Sequence, residues 1–247
     1  MSYPVARMAS PGKEAVIPRP TVLSPVSPAE LLTNIITHHR HPSTVIIGTT
    51  QEDFMNGLRQ DVLPPAEPTQ AGIDEPPLAE EPPPPKHALL INTLLQIAVS
   101  RHIRVVFLSS VTHVRAWMTV FSPSESHVSA PPASQPRDPP SLVVYGLVAL
   151  HRDTSEWSAQ GIGASTAIFV EACVRHGFRA VLVEPEQFHG ENIGASSEEP
   201  EPAAFGTEKL PLLKGMAMKE DGTWAGRTVE LHRILGRWFD SAEKSKS

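Results

Sequence analysis

The residues best placed to do chemistry follow a short β-branched run. Thr44-Val45-Ile46-Ile47 leads into Gly48-Thr49-Thr50-Gln51-Glu52-Asp53-Phe54-Met55, and a strand that ends on glycine before a helix is where a phosphate-binding loop would stand. Such a loop runs G-x-x-x-x-G-K-S/T. Its glycines let backbone N–H groups approach phosphate, its lysine reaches the terminal phosphates and its hydroxyl holds magnesium. Counted from Gly48, Asp53 takes the place of the second glycine, Phe54 that of the lysine and Met55 that of the hydroxyl. An aspartate repels a triphosphate, and a phenylalanine offers no charge in return. The acidic residue that completes such a site at the end of another apolar strand is replaced as well, because SLVVYGLVAL (141–150) carries Tyr145 there. The pattern predicts a nucleotide site without its chemistry: no catalytic residue, no cofactor and no metal. Two unrelated strands of another α/β fold would give the same pattern, since a strand followed by a glycine is common.

Other reactive types are less organised. His38, His39 and His41 flank Arg40, but neighbouring histidines at a helix end point in different directions and no acidic partner stands near, so a solvated helix terminus is expected over a metal site. Ser155, Ser158 and Ser165 lie near His151 and Asp153 without the G-x-S-x-G elbow of a serine hydrolase. The loop from His151 to Gly163 follows the most apolar strand at its carboxyl end, where open α/β sheets place their binding crevice. Its Arg152 and Trp157 are candidates for contact with DNA or a partner, by phosphate pairing and stacking. Arg227, Arg233 and Arg237 interleave with Trp224 and Trp238, so Arg227 and Arg237 join that candidate face; alternation on a half-exposed sheet would place them equally well.

The elements that must position these residues are legible from periodicity. Ser27 caps a helix that starts at Pro28 and carries Leu31, Leu32, Ile35 and Ile36 at helical spacing. Buried strands are expected at 44–48, 103–109, 141–150 and 179–184, with helices through Phe54 to Leu58, over 88–100, through THVRAWMTVF and from about Ala164 to His176. Unalternated apolar strands between helices mean a mostly parallel sheet covered on both faces. LPLLKGMAM, WAGRTVEL (224–231) and RILGRWF read as short antiparallel strands closing one sheet edge. Residues 1–26 read as a disordered arm, 27–240 as one domain and 241–247 as a tail. Insertions interrupt the domain at 63–86, 122–140 and 186–208; LPPAEPTQAGIDEPPLAEEPPPP alone holds nine prolines and five acidic residues with no basic one.

The net charge of -6 gives no global attraction to nucleic acid or an anionic membrane. A lone Cys173 excludes an internal disulfide and points to a reducing compartment. The N-terminal residues lack a signal-peptide apolar region and no apolar run has the length of a membrane span, so a soluble intracellular protein is expected.

In order and length, SLVVYGLVAL, GASTAIFVEACVRHG, RAVLVEP and GRTVELHRILGRWF, together with the strand at 44–48, resemble the core of the RecA-type recombinase and recombination-mediator paralogue family. The resemblance covers roughly residues 28–60 and 87–240. It implies a single RecA-like P-loop-type domain, and since Phe54, Met55 and Tyr145 replace the nucleotide-handling residues, ATP turnover does not carry over. What it does imply is side-by-side assembly: a nuclear or otherwise cytoplasmic subunit, hetero-oligomeric with RecA-like paralogues or recombinases, meeting DNA through the complex, as in Shu-type mediators. An Elongator-type assembly acting on transfer RNA is an alternative, and an α/β hydrolase or transferase on an unrelated fold is a third.

Overall fold

The computed structural model of the chain describes residues 19–38, 43–63, 87–91, 93–123, 140–186, 205–215, 218, 222, 224 and 226–241. Its centre is a sheet of six parallel strands. Ser43–Ile47 (β2), Ser141–Tyr145 (β4) and Arg179–Val183 (β5) form the middle, flanked on one side by Ile103–Phe107 (β3) and on the other by Thr21–Val22 (β1) and Asp240–Ser241 (β8), in the order β3-β2-β4-β5-β1-β8. The pairing is in register along its length, with Ser43 opposite both Ile103 and Ser141, and Ser141 opposite Arg179.

The apolar runs of β2, β4 and β5 are continuous because both faces are covered. Ile46, Leu142, Val144 and Leu182 face one layer, where Val111–Val120 (α4), Ala159–His176 (α5) and Leu231–Leu235 (α6) contribute Val114, Met118, Phe169, Leu231 and Ile234. Val45, Ile47, Val143, Tyr145, Val181 and Val183 face the other, closed by Leu31 and Ile35 of Pro28–His38 (α1) and Phe54 of Gln51–Val62 (α2). A further helix, Leu94–Ser100 (α3), leads through Arg101 and His102 into β3. Hydroxyl caps start α2, α3, α4 and α5 at Thr50, Thr93, Ser110 and Ser158, and Gly177 ends α5 in the left-handed region at φ 71°.

Several expectations need correction. Residues 19–26, expected to belong to a disordered arm, are part of the folded unit, because Thr21 and Val22 pair with β5 and β8. The sheet is parallel throughout; the antiparallel pair Lys209–Pro211 (β6) with Thr228–Glu230 (β7) is a separate two-stranded sheet and closes no edge. RILGRWF contributes the end of α6 and a turn instead of a strand: Leu231, Ile234 and Leu235 are buried at helical spacing. The strand at 141–150 stops at Tyr145, after which Gly146 turns the chain at φ 80° into a 3-10 turn at Ala149–His151. Helix α5 starts at Ala159, a turn and a half before the expected Ala164. The segments 64–86, 124–139 and 187–204, most of the expected insertions, lie outside the described residues, as do His39 to His41 and the tail after Ser241. Phe205 to Glu208, assigned from sequence to the third insertion, belong to the folded unit, with Glu208 paired to Arg152.

Candidate functional site

From β2 the chain winds outward to β3 and then back across to β4 and β5. The reversal lies between β2 and β4, so the crevice at their carboxyl ends is where this architecture places a ligand. Here that crevice is narrow. The Gly48 N–H donates to the Tyr145 carbonyl at 2.8 Å, and a Cβ on Gly48 would stand 2.7 Å from the Gly146 carbonyl oxygen. The glycine that suggested a phosphate loop lets two strand ends approach instead.

The remaining residues in line with the phosphate loop have separate structural duties. Three residues, Gly48 to Thr50, connect β2 to α2. Thr50 Oγ accepts the Asp53 N–H at 3.1 Å and donates to the Asp53 carboxylate at 2.6 Å, so Asp53 completes a helix cap. Glu52 and Asp53 put two negative charges at the positive end of the α2 dipole. Phe54 is core, edge-on to Phe107 and Tyr145 at centroid distances of 5.9 and 6.0 Å, while Met55 is exposed. The Tyr145 hydroxyl donates to the Val26 carbonyl at 3.0 Å, and burial raises its pKa above the ordinary phenol value.

One acidic residue at a strand end escaped the sequence argument. Glu184 follows β5, is fully buried, and accepts the N–H groups of Val148 at 2.8 Å and Ala149 at 3.1 Å. Burial pushes its pKa up to about 7 against the pull of those N–H groups. The signal was present as an acid directly after RAVLV, a position read only as the end of a strand.

A second polar cluster joins α4, α5 and the loop after β4. His151 Nε2 lies 2.8 Å from Ser165 Oγ and its Nδ1 lies 2.7 Å from the Leu147 carbonyl. Arg115 donates to Ser165 Oγ, to Glu156 and to the Gly161 carbonyl, each at 2.8 Å. Since a carbonyl only accepts, Nδ1 carries the imidazole proton; Nε2 then accepts the Ser165 hydroxyl, whose oxygen accepts from Arg115. Burial lowers the pKa of His151, in keeping with this neutral form. Glu156 also binds Lys214, and that contact, followed by Arg115, holds its carboxyl below the usual range. The pair has the contact of a serine–histidine dyad, but its orienting group is a backbone carbonyl. Asp153 is exposed, with a left-handed φ of 61°. Neither His151 nor Ser165 has exposed surface, so a substrate carbonyl has no approach to the hydroxyl in this arrangement.

Among the proposed contact residues, Arg152 and Trp157 come together. The guanidinium lies 4.9 Å from the indole centroid and pairs with Glu208 at 2.9 Å. Burial, partly offset by Arg152, raises the pKa of Glu208. Arg227 is exposed before β7 and Arg237 in the turn after α6, so the four residues occupy separate elements. Ser158 caps α5 through the Gly161 N–H at 3.0 Å. Among the described residues no group of three His, Cys, Asp or Glu side chains is placed to hold a metal, and no helix is long and apolar enough to cross a membrane.

Comparison with known proteins gave no match to a family model, a curated protein or a solved structure.

Proposed function

We propose that the chain is a non-catalytic, RecA-like subunit of a DNA-recombination or repair mediator complex, supporting assembly of a recombinase filament by offering surface in place of turnover. The observation that carries this is the filled crevice between β2 and β4. The Gly48 and Asp53 N–H groups, which a phosphate would need, bind Tyr145 and Thr50, and Phe54 and Tyr145 pack against each other where lysine and a magnesium-binding acid would stand. Strands β2 and β4 are neighbours, as a reading of Gly48 and Tyr145 as parts of one former site requires. The partners are RecA-like paralogues or recombinases in a nuclear hetero-oligomer, and the half-exposed Arg152–Trp157 stack supports a contact with partner or DNA.

The test uses the purified full chain and its native complex. No saturable binding of a fluorescent ATP analogue and no hydrolysis are expected, with recombinase-type subunits co-purifying from native cells. Saturable ATP binding that is lost on changing Gly48 or Asp53 would overturn the proposal, and co-purification of transfer-RNA-modifying subunits would reassign the chain to an Elongator-type assembly.

A further inference from the structure

Strand β3 pairs with β2 on one side and ends the sheet on the other; among the described residues nothing pairs with its outer edge. Its sequence, Ile-Arg-Val-Val-Phe, has no proline, lysine or acidic residue to discourage a further strand. The central Val105 is 42% exposed. Immediately before it, α3 and the turn that leads into it expose Leu90, Ile91, Ile97 and, at 86%, Leu94. Isolated exposed leucines are ordinary; a β-prone edge beside an exposed apolar helix is a docking surface.

We propose that this edge binds the same edge of a second copy, giving a two-fold dimer in which β3 pairs antiparallel with β3 and the two sheets become one. The backbone fixes the register. The Leu108 N–H donates to the Ile47 carbonyl, so alternation turns the backbone groups of Arg104 and Val106 toward β2 and those of Ile103, Val105 and Phe107 outward. The antiparallel arrangement that uses all three outward residues centres on Val105: Val105 meets its own copy, and Ile103 meets Phe107. Each of these is a hydrogen-bonded pair, and Phe opposite Ile is a favourable cross-strand combination. Charge is accommodated as well. Arg104 falls opposite Val106 rather than its own copy, and its guanidinium lies 5.5 Å from the Trp117 ring centroid within its own chain. A two-fold axis normal to the sheet keeps both α3 helices on one face, where their exposed leucines and isoleucines cover each other. The pairing stands independently of the recombination proposal, because it needs only the edge and its copy.

Sedimentation velocity of the full chain is expected to give a dimer. Val105→Lys sets two ammonium groups opposite each other on the axis and is expected to halve the apparent mass, with circular dichroism and melting unchanged because the side chain is already partly exposed. Leu94→Lys on α3 is an independent variant that weakens the dimer without touching the sheet. In Val105→Cys the two Cα atoms stand about 5.5 Å apart, within disulfide range, so mild oxidation is expected to give a covalent dimer, with Cys173 buried and not competing. A chain that remains monomeric through the micromolar range overturns the proposal. So does a dimer that survives both lysine variants and fails to cross-link through Val105→Cys, or an edge that pairs only with a different protein.

Discussion

Gly48 lies against Gly146 so closely that a Cβ on the first would stand 2.7 Å from the carbonyl oxygen of the second, and 3.1 Å from that of Tyr145. Both obstacles are backbone and cannot swing away. Gly48→Ala is expected to cost about 1–3 kcal/mol of stability by forcing β2 and β4 apart, measured by urea unfolding. Unchanged stability would show that the strand ends separate freely, and the crevice would then be open to a ligand.

Two glycines on α5 separate close approach from helix propensity. At Gly161 a Cβ would meet the Glu156 carbonyl oxygen at 2.0 Å, whereas at Gly163 nothing lies within 4 Å. Gly161→Ala is expected to destabilise strongly and disturb the loop before α5. Gly163→Ala, inside the same helix, should gain about 0.5–1 kcal/mol. Thermal melts of the two variants should move in opposite directions.

Phe54 and Met55 are neighbours with opposite environments, 5% and 37% exposed. Phe54→Ala should cost about 3–5 kcal/mol as the aromatic contacts with Phe107 and Tyr145 are lost, and Met55→Ala about 0.5 kcal/mol or less. Phe54→Lys, which restores a lysine at the phosphate-loop position, should unfold the chain before it binds ATP, as calorimetry with and without nucleotide would register.

Arg115 holds Ser165, Glu156 and the Gly161 carbonyl, with 21% of its side chain exposed, while Lys214 meets Glu156 with 37% exposed. Arg115→Met leaves buried acceptors unpaired and should cost about 1–3 kcal/mol. Lys214→Ala loses one solvent-screened pair and should cost at most about 1 kcal/mol. Equal denaturation midpoints for the two variants would contradict this division.

Glu184 gives the fold a pH dependence of definite sign. Its pKa rises from 4.5 to about 7 on folding, so its contribution is complete below pH 4.5, where both states are protonated. It is lost as pH climbs through about 7, because the unfolded chain releases the proton first. Measured against Glu184→Gln, which cannot ionise, wild-type stability should fall by on the order of 2–3 kcal/mol between those pH values. His151 is present in both proteins, and its lowered pKa acts in the opposite direction, removing stability as pH falls below its ordinary value, so the difference isolates Glu184.

Periodicity and turn chemistry carried much of this fold in the sequence itself. STVII, SLVVY and RAVLV read as buried parallel strands because a two-sided environment demands apolar residues at every position, and that demand is local. Ser27 with Pro28 marked α1 for an equally local reason. The division of 141–150 at Gly146 was written only as a glycine, and the helical spacing of Leu231, Ile234 and Leu235 was obscured by the β-prone residues before it. Tertiary structure alone decided what the chemical-looking residues do. Gly48 could have faced a phosphate or a neighbouring backbone, Phe54 could have replaced a lysine or completed a core, and Ser165 could have met His151 in solvent or out of it. Each choice depends on which strands lie side by side and which helix covers them, a matter of contacts between residues as far apart as Tyr145 and Val26, which no local pattern encodes.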